Sequence, residues 1–208
     1  MNEHSSTDCT AFAGTKRIAS GDLSQVALAA KTVWDRDKWA QVLIFDDLTS
    51  ELIEVDFRGS PEDVERRIAE QAGAAAPGSD PVAHAGDARR PGRPRLGVVA
   101  REVTLLPRHW EWLASQPGGA SVALRKLVEQ ARGANRGRDR QRRAQEAAYR
   151  FLSAMTGNEP GFEEAIRALF AGQGERFDKM VDPWPHDIRE HAKKLATVVF
   201  AASVEDRQ

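Results

Sequence analysis

The chain has 208 residues, with 30 Lys and Arg against 31 Asp and Glu, a formal net charge of −1 and 41% hydrophobic residues. That is room for one or two domains with proper cores. Cys9 is the single cysteine, which excludes an intramolecular disulfide and a cysteine-rich zinc site, and no apolar run approaches the roughly 20 residues needed to cross a bilayer.

Met1-Asn2-Glu3-His4-Ser5 carries neither the basic nor the apolar region of a secretory signal, so a cytoplasmic, reducing setting without membrane association is expected. Thr10–Gly14 and Lys16–Ser20 read as two short strands around a turn. A helix starting at Gly21 or Asp22 runs through Leu23, Val26, Leu28, Ala30 and Val33 to about Arg36. Val42-Leu43-Ile44-Phe45 is a near-continuous apolar strand, Asp46–Ser50 a turn, and Leu52–Phe57 an alternating strand. Ser60 caps and Pro61 opens a helix to about Gln71. The order ββαββα over 10–71 predicts an α+β domain with helices on one face of a small antiparallel sheet. Asp46-Asp47 would suit a magnesium ion at a strand end, but a turn initiated by Asp explains the pair better. No glycine-rich phosphate loop, Ser/His/Asp set or metal-ligand spacing appears; His186 and His191 are five apart, off one helical face. No cofactor, no metal and no enzymatic activity are expected.

Residues 72–95 read as a linker, rich in Ala, Gly and Pro, that turns basic at Arg89-Arg90-Pro91-Gly92-Arg93-Pro94-Arg95. Gly92-Arg93-Pro94 resembles the core of an AT-hook, with Pro91 standing where its first arginine belongs. Charge is segregated along the chain. Arg89–Arg150 holds 15 Lys and Arg against 5 Asp and Glu, so the centre is about +10 and the remainder about −11, an electrostatic argument for a polyanionic partner.

The stretch 96–134 combines a β run (Arg101–Leu106), a helix opened by Pro107 with Trp110, Leu113 and Ala114 at helical spacing, a Gly118-Gly119 break, and a second amphipathic helix to about Arg132. Ser121 suits the cap of that second helix; Leu124, Leu127, Val128 and Ala131 line one face. Strand, helix, turn and helix in this order resemble the ribbon-helix-helix DNA-binding unit of the Arc and MetJ repressors. A lone strand with two short helices cannot complete its own edge or core. The resemblance implies a homodimer whose two strands pair into a ribbon for the major groove. The register stays open: one parity directs Arg101, Val103 and Leu105 at the bases, the other Glu102, Thr104 and Leu106. The second helix is also about one turn longer than the pattern needs.

Gly133–Arg143 is a second basic stretch. A C-terminal helical module over 137–202 follows, with helices through Ala147–Met155, Phe162–Phe170, Phe177–Val181 and Ile188–Val199. Gly97–Trp110 and Gln116–Ser121 are also similar to signatures of a bacterial family known only as a domain of unknown function, a likeness that spans nearly the whole chain and implies no activity.

The functional expectation is a homodimeric DNA-binding protein, a transcriptional regulator. Arg89, Arg90, Arg93, Arg95, Arg101, Thr104, Ser121, Arg136, Arg138 and Arg140 would meet double-stranded DNA, Ser121 through a phosphate at the helix N-terminus. Val103, Leu105, Leu106, Trp110, Leu113, Leu124, Leu127 and Val128 would form the dimer interface. The outer domains would take a small ligand or a protein partner. The rival reading is an interaction adaptor or antitoxin-like dimer without sequence-specific DNA binding, since neither strand parity supplies a run of base-reading side chains.

Overall fold

A computed structural model describes residues 8–74, 99 and 101–205. Strands β1 (Asp8–Ala13), β2 (Lys16–Asp22) and β3 (Val42–Asp46) form an antiparallel sheet in the order β2-β1-β3. Side chains of a strand alternate between faces, and the central strand buries both. Cys9 and Ala11 lie with Ile44 against Val26 and Ala30 of helix α1 (Leu23–Arg36). Phe12 and Phe45 enter a second cluster with the C-terminal helices. A register shift between Ala11 and Phe12 bends the β1–β2 pair. Asp22 caps α1, accepting from the Ser24 amide at 2.9 Å.

The expected strand over Leu52–Phe57 is corrected. Leu52 makes one isolated bridge to Phe45 and the Ile53 amide donates to the Ile44 carbonyl at 2.8 Å, after which the ladder stops. Ile53, Val55 and Phe57 still pack on the α1 side of the sheet, which is what their alternation encodes. Side chains take the carbonyls beyond: Arg67 donates to those of Asp56 (2.7 Å) and Arg58, and the buried Lys31 donates to that of Phe57 at 3.2 Å. Helix α2 (Pro61–Ala74) follows with Ser60 and Asp63 bonded to each other's backbone amides, and Val64 and Ile68 pack toward Ala27 of α1.

Helix α3 spans Pro107–Ala114. Helix α4 spans Gly119–Thr156 without interruption, which corrects two expectations. The second helix does not end near Arg132, and Ser121 lies inside α4 and does not cap it. Gly133 and Gly137 each cost roughly 1 kcal/mol relative to Ala in a helix. Residues around them favour helix, and Arg132–Glu129 (2.9 Å) and Arg142–Asp139 (3.2 Å) pair at i, i+3 spacing. Helices α5 (Phe162–Phe170), α6 (Gly174–Val181) and α7 (His186–Glu205) complete the fold.

The chain divides into two compact units, one of Met1–Ala75 with Asn135–Gln208 and one of Ala76–Ala134. The segments 10–71 and 137–202, expected as separate modules, thus belong to one unit with one large core. Phe12 and Phe45 pack there with Phe151, Leu152, Leu169, Phe177, Val181, Trp184, Ile188 and Val199. Helices therefore cover both sheet faces, not one. The Arg17 amide donates to the Asp187 carboxylate at 3.0 Å, and the Trp184 indole donates to the Pro160 carbonyl at 2.9 Å. Among the described residues no helix is long and apolar enough to cross a membrane.

Candidate functional site

In the central unit, residues 101–106 take no secondary structure and lead into α3, with Pro107 in its first turn and no side-chain cap at Leu106. Gly118 and Gly119 have φ of +86° and +76°, the left-handed backbone that glycine adopts without strain, and so turn the chain into α4. Of the residues expected at a dimer interface, Leu113 is buried, and Leu105 and Leu124 are half-buried. Val103 (55% exposed), Leu106, Trp110, Leu127 and Val128 (54%) are open, as is Trp112. Among the described residues 99–134, Leu113 and Ala123 alone reach full burial. Six large apolar side chains between residues 103 and 128 are thus 42–55% exposed.

Arg101, Thr104 and Ser121 are exposed, and Arg136, Arg138 and Arg140 are exposed on α4. Arg89, Arg90, Arg93 and Arg95 lie outside the described residues. The Ser121 carbonyl accepts from the Arg125 guanidinium at 3.1 Å. Continuity of α4 exposes a pattern hidden by the expected helix end near Arg132. Arg136, Arg140, Arg143 and Arg150 stand at i, i+4, i+7 and i+14, along one helical face.

Asp46 and Asp47 separate in role. Asp46 Oδ1 accepts from the amides of Leu48 (2.9 Å) and Thr49 (2.7 Å) and from the Thr49 hydroxyl (3.0 Å), the geometry of an Asp-initiated turn. Asp47 accepts from Lys194 Nζ at 2.7 Å and from the Thr10 hydroxyl at 2.6 Å, and Thr10 Oγ1 lies 3.0 Å from Ser20 Oγ. Burial opposes ionisation of Asp47, but the Lys194 and Thr10 hydrogen bonds outweigh it and hold its carboxyl below the usual carboxylate value. No group of three potential ligands suited to a metal ion occurs among the described residues.

Sequence reasoning passed over His191 as a misplaced ligand. It is 2% exposed, wedged between the rings of Phe12 (5.5 Å) and Phe151 (4.5 Å), and neither ring nitrogen has a hydrogen-bond partner. Burial pushes its pKa down to about 4, against the opposing pull of Asp47. Spacing within α7 could have flagged it: His191 shares a face with Ile188, Leu195 and Val199.

Together these features define a mixed α+β protein, mostly helical, around a three-stranded antiparallel sheet. The chain belongs to a family described as uncharacterized protein conserved in bacteria (DUF2239), whose model matches residues 8–196. No curated protein and no solved structure matches the chain.

Proposed function

We propose that the protein is a homodimer joined through its central unit, and that the dimer binds double-stranded DNA as a transcriptional regulator. The observation that carries the reading is the number of large apolar side chains left open in that unit: Val103, Leu106, Trp110, Trp112, Leu127 and Val128, each 42–55% exposed. Burying a large apolar side chain from full exposure is worth roughly 1.5–3 kcal/mol. Six half-exposed side chains on each of two copies therefore yield on the order of 10 kcal/mol, against roughly 4–15 kcal/mol lost on association. A second identical copy fits because residues 101–106 form no strand pairing among the described residues. An antiparallel twin would supply the missing partner to both at once.

DNA is the polyanion that the charge segregation favours. Arg89–Arg150 is about +10, and Arg136, Arg138 and Arg140 present guanidinium groups on α4 for backbone contacts whose counterion release makes affinity fall with salt. The paired 101–106 segments would enter the major groove, with Arg101 and Thr104 nearest the bases.

Two measurements on the full chain test this. Light scattering should give twice the 22.9 kDa chain mass, and Val103→Asp with Leu106→Asp should return the monomer. A wild-type monomer at micromolar concentration overturns the dimer. In a gel shift with duplex DNA, replacing Arg93, Arg95, Arg136 and Arg138 by alanine should weaken binding at least tenfold; unchanged binding overturns the DNA reading. A dimer that ignores DNA but co-purifies with one stoichiometric protein would instead mark an interaction adaptor, the reading favoured by the shortage of base-reading side chains on 101–106.

A further inference from the structure

A cavity of about 450 Å³ lies wholly within the unit formed by Met1–Ala75 and Asn135–Gln208, lined by the Asp46–Ser50 turn, by Glu51, by the arginine-bearing face of α4 and by Val198 of α7. Its size falls in the range of small-molecule sites. We propose that it binds a small amphipathic monocarboxylate, with the carboxylate at Arg143 and the apolar body against Leu48, Ala144 and Val198. This inference is independent of the dimer and of DNA.

Charge gives the first reason. Arginines outnumber carboxylates in the lining, where Arg140, Arg143 and Arg150 stand with Glu51 and Glu146, and Glu146 also lies 4.0 Å from Arg142, so the site favours an anionic head. Arg150 is engaged, donating to the Thr49 carbonyl at 2.7 Å with Glu51 4.0 Å away, so it braces the turn. Arg143 donates through Nε to the Asp139 carbonyl at 3.1 Å, and its two terminal nitrogens make no hydrogen bond among the described residues. Such a fork matches a carboxylate in bidentate geometry.

The second reason is Leu48. It is 84% exposed, yet its backbone is pinned by Asp46 at 2.9 Å. A leucine held into water by a built turn has no packing role in this unit, and Val198, 51% exposed, faces the same space. An apolar ligand body covers both, while the arginine holds its head. That combination of apolar wall and few placed polar groups is the general pattern of a ligand pocket.

The test is calorimetric titration of the full chain with octanoate, with octanol, acetate and octyl phosphate in parallel. Octanoate should bind at one saturable site per chain and at least tenfold more tightly than any of the other three. Arg143→Ala should weaken octanoate about tenfold or more, the range of one charge-assisted hydrogen bond, and Leu48→Ala should weaken it several-fold. Arg167→Ala, on α5 and outside the cavity, should leave it unchanged. All three side chains are exposed, and circular dichroism confirms that each variant folds. Octanol binding as tightly as octanoate, or octanoate binding untouched in Arg143→Ala, overturns the proposal; so does the absence of saturable binding. Tighter binding of octyl phosphate would assign the cavity to a phosphorylated ligand and overturn the monocarboxylate.

Discussion

His191 should make this protein lose stability as pH falls below about 6.5, beginning well before its carboxylates take up protons. The imidazole is packed between Phe12 and Phe151, and burial lowers its pKa from 6.5 to about 4, with Lys194 and Arg17 adding to the effect and Asp47 opposing it. A histidine depressed in the folded state binds its proton more readily in the unfolded chain. Stability is therefore unaffected above about pH 6.5 and falls as pH drops from there toward 4. A shift of about 2.5 units at roughly 1.4 kcal/mol per unit gives a loss of about 3 kcal/mol across that window, a large share of the 5–15 kcal/mol typical of a folded chain. Asp47, held below its ordinary value, contributes only at lower pH. The assay is urea unfolding at intervals from pH 7.5 to 4.5, comparing wild type with His191→Leu, which has similar volume and nothing to protonate. Wild type should lose about 2–3 kcal/mol more than the variant, and the His191 ring protons should titrate near pH 4 in NMR spectra of the native protein. Parallel stability curves, or a ring midpoint near 6.5, would refute the argument.

Two further expectations concern the same unit. Cys9 is fully buried, and burial, reinforced by Asp47, Asp22, Asp46 and Asp8, pushes its thiol up to about 12. A disulfide reagent at pH 8 should leave it untouched for hours in the native protein and modify it at once in denaturant; prompt native-state labelling would show the β1 core to be open. Gly161 holds φ +81° before α5, and a Cβ there would stand 3.4 Å from the Met180 carbonyl. Gly161→Ala should cost roughly 1–2 kcal/mol, read as a lower urea midpoint with an unchanged slope.

Much of the local structure was legible because it depends on neighbours in the chain. Short runs around a turn marked β1 and β2, the apolar run Val42–Phe45 marked β3, and Asp22 and Ser60 marked helix starts, each through chemistry acting over a few residues. Three things were not legible, and each depends on partners far away in sequence. Leu52–Phe57 alternates like a strand, but it pairs only at Leu52 and Ile53, and distant Arg67 and Lys31 take the carbonyls of Asp56, Phe57 and Arg58. The second helix was expected to end near Arg132, but ion pairs and good helix formers on both sides carry α4 on through Gly133 and Gly137. Phe12 and Phe45 gave no hint of what would cover them; Phe151 and His191, more than a hundred residues on, do so. The sequence alone determined which residues seek burial and where the charge gathers. Only the tertiary structure decided that the two ends of the chain share one core, because sheet and helices each had a bare apolar face and burying both together removed the most surface from water.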